Sequence, residues 1–129
     1  MVEFFKALSD ENRLRLVNIL MHAELCVCEI EVMLELNQSN ISRHLKKLKD
    51  AGIISSSKDA QWIHYKLSDD FEKENILLNE YLRDEFEKNE VFIKDLERYM
   101  RYEKSNFNCQ YIREDRDNVL DLIKPGGNS

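Results

Sequence analysis

Residues 37–52, NQSNISRHLKKLKDAG, constrain the chain more than any other stretch, because they read as one amphipathic helix with both ends marked. Asn37 or Ser39 is placed to cap the first turn, where a short polar side chain satisfies a free backbone N–H. Gly52 is placed to end the helix in the left-handed conformation, which a residue without Cβ adopts at little cost. Ile41, Leu45 and Leu48 recur at helical spacing and mark one face as core-facing. Ser39, Ser42, Arg43, Lys46 and Lys47 fall on the opposite face. That face offers cations and small hydrogen-bonding groups, the chemistry that meets phosphates and base edges. Taken alone, such a face is most often merely solvated, so the surrounding chain decides.

The charge distribution favours nucleic acid. The 129-residue chain has a net charge of −6. Residues 37–66 hold six basic residues and two acidic ones, a local +4 that leaves −10 for the remainder. A basic island in an acidic chain is a local electrostatic footprint, and the acidic remainder discourages indiscriminate binding. The length suits one domain. No run of about 18 apolar residues suggests a membrane span. The start, MVEFFKAL, lacks the basic and long apolar regions of a signal peptide, and a cytoplasmic location is expected. Three cysteines, Cys26, Cys28 and Cys109, are an odd number and argue against a disulfide framework.

The flanking segments supply the context. Residues 2–8 suggest a short apolar helix, and Ser9-Asp10 signals the start of a second one running to about His22. A third helix is expected from about Cys26 to Leu36, with Val27, Ile30 and Leu34 inward. Leu36-Asn37 then forms a tight turn into the opening helix, which gives a helix-turn-helix. After Gly52 the period changes to two: Ile63, Tyr65 and Leu67 alternate with Trp62, His64 and Lys66. Ile53 to Ser57 is the partner strand, and Lys58-Asp59-Ala60-Gln61 the hairpin tip. His64 is expected to face out, and Trp62 and Tyr65 to pack in the hairpin. The fold class is therefore mainly α with a small β component, a winged helix-turn-helix.

From Asp70 to Lys104 neither Gly nor Pro occurs, which suggests one long helix, or two with a break near Asn89. Leu78, Leu82, Phe86, Ile93, Leu96 and Met100 form one stripe; Leu77, Tyr81, Phe92 and Tyr99 form another. One small domain cannot cover both, so a second copy of the chain is the expected partner, in a homodimer. Residues 1–104 make the DNA-binding and dimerisation domain. Residues 105–129 make a polar tail, with a Val119–Ile123 patch able to dock and a loose end from Pro125-Gly126-Gly127.

ALSDENRLRLVNIL, ELCVCEI, LNQSNISRHLKKLKDAGII and WIHYKL together resemble the ArsR/SmtB family of metal-responsive winged-helix repressors, over roughly residues 5–68. The resemblance implies a dimer that binds operator DNA and lets go when a thiophilic ion binds. It implies that Gln38, Ser39, Ser42, Arg43 and His44 meet the major groove, with Asn40, Lys46 and Lys47 beside them and Lys58 and Gln61 near the wing tip. Many relatives have glycine where this chain has Ala60. ELCVCEI is similar to the ELCVCDL signature of the arsenic- and antimony-sensing members, whose two cysteines are thiolate ligands. A third cysteine, three residues further in some relatives, is replaced here by Glu31, which leaves Cys109 as the candidate third ligand. The implied inducer is As(III) or Sb(III), with no permanent cofactor. The cadmium- and lead-sensing branch adds cysteines in an N-terminal extension not seen here. The zinc-sensing branch uses His residues on the last long helix, and residues 70–104 contain none.

The cysteine spacing carries its own expectation. In a regular helix, residues i and i+2 are about 200° apart. Cys26 and Cys28 would then flank Val27 on opposite sides, and an ion shared between them would have to unwind that first turn. Such a distortion would shift the neighbouring recognition helix. The helix dipole favours a thiolate at that end. His22, four residues before Cys26, reads as an ordinary surface or core histidine. A thiol redox or sulfide sensor pairing Cys109 with Cys26 or Cys28 is the alternative of the same fold. No C-x-x-C motif supports a thiol enzyme.

Overall fold

The computed structural model describes residues 1–124, so the loose end expected from Pro125 lies outside the described residues. Four helices open the chain: α1 (Val2–Leu8), α2 (Glu11–Leu20), α3 (Val27–Leu34) and α4 (Gln38–Asp50). A two-residue strand β1 (Leu25–Cys26) precedes α3, and β2 (Ile54–Asp59) and β3 (Trp62–Leu67) follow α4. The chain continues through α5 (Asp69–Glu74), α6 (Ile76–Phe86), α7 (Glu90–Ser105), α8 (Cys109–Glu114) and α9 (Arg116–Ile123).

The helix boundaries follow from local chemistry. Asp10 accepts from the Arg13 amide at 3.1 Å and starts α2; Asn37 accepts from the Asn40 amide at 2.9 Å and starts α4. Glu35 ends α3 with a φ of 54°, and Gly52 turns the chain after α4 with a φ of 78°. Ile41, Leu45 and Leu48 are buried on the inner side of α4, against Leu16, Ile19, Ile30 and Met33. Each such side chain contributes roughly 1.5–3 kcal/mol by leaving water. This cluster fixes α4 against α2 and α3 and leaves its polar face outward, as the sequence pattern requires.

The hairpin β2–β3 is antiparallel, from Ile54 opposite Leu67 to Asp59 opposite Trp62. That register leaves a two-residue turn, Ala60-Gln61, with Ala60 at a φ of 57°. The wing is not a free hairpin. β1 pairs on its other side, Leu25 opposite Tyr65 and Cys26 opposite His64, so the sheet order is β1-β3-β2. His64, expected to face out, is accordingly half-buried.

Residues 70–104 are not one long helix: the alternative break near Asn89 is present, and an earlier one at Asn75, not expected, makes three helices. Two asparagines explain the breaks without Gly or Pro. The Asn75 side-chain amide donates to the Phe71 carbonyl at 3.1 Å, and that of Asn89 to the Glu85 carbonyl at 2.9 Å, in competition with the helical ladder. The second break folds Phe86 onto Phe92, with ring centroids 4.7 Å apart. It also exchanges the stripes: Phe92 and Tyr99 turn inward on α7, whereas Ile93 and Met100 face out. The tail packs back on the body. Val119 and Ile123 are fully buried against α3 and α7, and Arg101 donates to the Lys124 carbonyl at 2.6 Å.

A candidate thiol site beside the DNA-reading elements

Three sulfurs, two from the C-V-C segment and one from the tail, converge where β1, α3 and α8 meet. The Sγ atoms of Cys26, Cys28 and Cys109 all lie within 4.8 Å of one another. Cys26 Sγ is 3.3 Å from Cys28 Sγ, and the Cys109 sulfur touches both. The three sulfurs therefore form one cluster. Cys26 and Cys109 are buried and Cys28 is half-buried.

The helical geometry expected for the C-V-C segment does not hold. Cys26 is the N-cap of α3, with extended backbone angles of −97° and 167°, and only Cys28 lies within the helix. The β1–β3 pairing holds Cys26 outside the coil. The separation of about 200° therefore does not apply, and the two sulfurs meet with the first turn of α3 intact. No unwinding is required to bring them together.

Two residues the sequence reading overlooked brace the site. Glu29 Oε1 accepts from the Cys26 backbone N–H at 3.0 Å and lies 3.3 Å from Cys26 Sγ. The Tyr102 hydroxyl, on α7, donates to Glu29 Oε2. Burial, with Glu29 alongside, pushes the Tyr102 phenol far above its ordinary value and keeps it a donor. The signal for Glu29 was legible: Cys26-x-x-Glu29 has the spacing of a capping box, with cysteine in place of serine. Nothing local announces Tyr102. His22 is apart from the cluster, with its ring 5.9 Å from that of Tyr99.

The residues expected to face DNA divide in two. Gln38, Ser39, Ser42, Arg43, Lys46 and Lys47 are exposed on α4, Asn40 is half-exposed there, and Lys58 and Gln61 are exposed at the wing tip. Asn40 accepts from the Arg43 guanidinium at 3.0 Å, and Lys46 pairs with Asp50 at 2.9 Å. His44 departs from expectation. It is only 3% exposed and faces α2, where Arg13 Nη1 lies 3.1 Å from its Nδ1. The reason is spacing: position 44 is i+3 from Ile41 and shares the core-facing stripe. Arginine has only donors, so His44 Nδ1 is the acceptor and the ring is neutral. Burial lowers its pKa, with Asp10 opposing.

A family model described as bacterial regulatory protein, arsR family, matches residues 10–56. The chain is 43% identical over 68 residues to the arsenical resistance operon repressor of Escherichia coli (strain K12), over 52% of this chain and 58% of that one. It is 46% identical over 63 residues to the cadmium resistance transcriptional regulatory protein CadC of Listeria innocua, over 48% and 53%. The chain thus spans little more than half the length of these two relatives. With the arsenical resistance operon repressor of Bacillus subtilis (strain 168) it shares 39% identity over 79 residues, 60% of this chain and 73% of that one. Among solved structures, HlyU from Vibrio cholerae N16961 is 36% identical with a TM-score of 0.54, covering 62% of this chain and 88% of that chain. Matched regulatory motif, winged helix-turn-helix and extensive likeness to the Bacillus repressor agree, and the chain belongs to the arsR family of bacterial regulatory proteins.

Proposed function

We propose that this chain is a homodimeric transcriptional repressor that binds operator DNA and releases it when As(III) or Sb(III) is held by Cys26, Cys28 and Cys109. The convergence of three sulfurs from positions up to 83 residues apart carries this reading. Soft thiolates select soft ions, and three sulfurs in a pyramid suit As(III) and Sb(III). A tetrahedral Zn(II) site wants four protein ligands, and three cysteines are present. The named relatives include both arsenical and cadmium regulators, so the choice of ion rests on this ligand count.

DNA is met by the outer face of α4, through Gln38, Ser39, Asn40, Ser42, Arg43, Lys46 and Lys47, and by Lys58 and Gln61 on the wing. Arg43 reads base edges and the lysines meet phosphates. Dimerisation is supported by apolar side chains left in water on one protomer: Leu77 is 80% exposed, Tyr81 60% and Met100 48%. A second copy is the simplest cover for them.

X-ray absorption at arsenic in the arsenite-loaded protein tests the site. Three sulfur neighbours are expected, falling to two in Cys109→Ser; three sulfurs retained in that variant would remove Cys109 from the set. A redox reading has one supporting observation. The Cα atoms of Cys28 and Cys109 are 5.9 Å apart, inside the usual disulfide range, whereas those of Cys26 and Cys109 are 7.5 Å apart. Mass spectrometry after mild oxidation, beside a DNA-binding assay, distinguishes the two: a Cys28–Cys109 disulfide with loss of DNA binding favours redox sensing.

A further inference from the structure

A groove of about 510 Å³ opens at the thiol cluster and runs between the DNA-reading helix and the wing. Gln38 and Ser42 of α4, Gln61 and Trp62 of the wing, and Arg113 of α8 line it together with Cys28. Arg113 lies over the wing, its guanidinium carbon 4.5 Å from the centre of the Trp62 ring. It is exposed and has no carboxylate partner among the described residues, whereas its neighbour Arg116 is paired with Glu31 at 3.0 Å. The nearby Glu114 is turned onto Gln110, at 3.0 Å. A guanidinium stacked on an aromatic face keeps its N–H edges free for acceptors in its own plane, and phosphate matches that fork.

Arg113 is also tied to the sulfurs. It stands one turn after Cys109 on the same short helix, α8. Trp62, beneath it, belongs to the strand whose His64 is paired with Cys26. Two of the three sulfurs thus reach the wing by separate routes, one through the sheet and one through α8.

We infer that Arg113 is a DNA-phosphate contact supplied by the tail, and that the thiol cluster governs its position through α8. The inference rests on the DNA-binding, thiol-sensing reading above and adds a residue and a route to it. Occupation of the three sulfurs would act on the wing side of the interface, with α3 still coiled.

The test compares the full chain with Arg113→Ala and Arg113→Lys on a duplex enriched from a random pool by the wild type, across a salt series. Arg113→Ala should bind more weakly, and its salt slope should fall by about one, which makes the step from 50 to 200 mM salt about threefold less costly than for the wild type. Arg113→Lys should retain the slope. Arsenite uptake, followed by thiolate–arsenic absorbance, should be unchanged in both, since the sulfurs are untouched. At saturating arsenite the affinity gap between the wild type and Arg113→Ala should close. An unchanged slope in Arg113→Ala overturns the phosphate contact while leaving the repressor reading standing. A gap that persists with arsenite overturns the link to the thiols. If the wild type enriches no duplex, the DNA reading and this inference fall together.

Discussion

Tyr102 on α7 donates its hydroxyl to Glu29 on α3 at 2.5 Å, and the other oxygen of the same carboxylate holds the Cys26 amide. One carboxylate thereby joins the C-terminal half of the chain to the start of the C-V-C segment. Tyr102→Phe keeps the ring and removes the donor, leaving an oxygen of the half-buried Glu29 carboxylate without its partner. A loss of about 1–3 kcal/mol in urea unfolding is expected. A loss within error would mean that water satisfies Glu29 as well as the phenol does.

His44 sets a pH dependence. Its folded-state pKa lies below the ordinary value of about 6.5 because burial disfavours the imidazolium. Its stabilising effect is present above that value and is lost as pH falls through the lower folded-state pKa, because the unfolded chain takes up the proton first. The urea midpoint should therefore drop between pH 7.5 and pH 5.5, and drop less in His44→Gln. Parallel curves for the two proteins would show that other groups carry the dependence.

The buried pair of Arg15 and Asp95 clamps α2 to α7. Both carboxylate oxygens accept from the guanidinium, at 2.7 and 2.9 Å, and Arg15 also donates to the Leu34 carbonyl at 2.9 Å. Burial pushes the Asp95 carboxyl up, against the pull of Arg15. Arg98 also reaches Asp95, at 3.3 Å, but keeps Glu35 at 2.9 Å. Asp95→Ala therefore leaves chiefly the Arg15 guanidinium without its partner and should cost about 3–5 kcal/mol, whereas replacing Arg15 and Asp95 by apolar residues of similar volume should restore most of it. Equal losses in the single and double variants would contradict this account.

The wing turn places a side chain where glycine is favoured. Ala60 has a φ of 57° in a two-residue hairpin turn. Ala60→Gly relieves the clash of Cβ with its own backbone and loses some chain entropy. The balance should raise stability by about 0.5–1 kcal/mol. A thermal melt showing destabilisation would mean that the strain is relaxed elsewhere in the wing.

The winged helix was legible because its signals are local: the caps at Asp10 and Asn37, the stripe of Ile41, Leu45 and Leu48, and the change of period after Gly52. The sites where the reading failed depend on long-range pairing or on competition. Cys26 is non-helical because of β3, almost forty residues later in the chain, and no window around ELCVCEI contains that information. His44 was hidden by its residue type; its position alone, three after Ile41, assigned it to the core. The break near Asn89 was foreseen as an alternative and that at Asn75 was not; both arise from side chains competing with the backbone, a weaker signal than Gly or Pro. Cys109 was named by elimination, and the docking of Ile112, Val119 and Ile123 on the body explains how a tail cysteine reaches the other two.

That docking has a topological consequence. Cys26 and Cys109 stand 83 residues apart. Any occupant that grips both would staple the two ends of the folded body together and close most of the polypeptide into a ring. Such a closure removes freedom chiefly from the unfolded chain. A chain so gripped would therefore be harder to unravel from its C-terminal end than the empty protein, whatever happens at DNA.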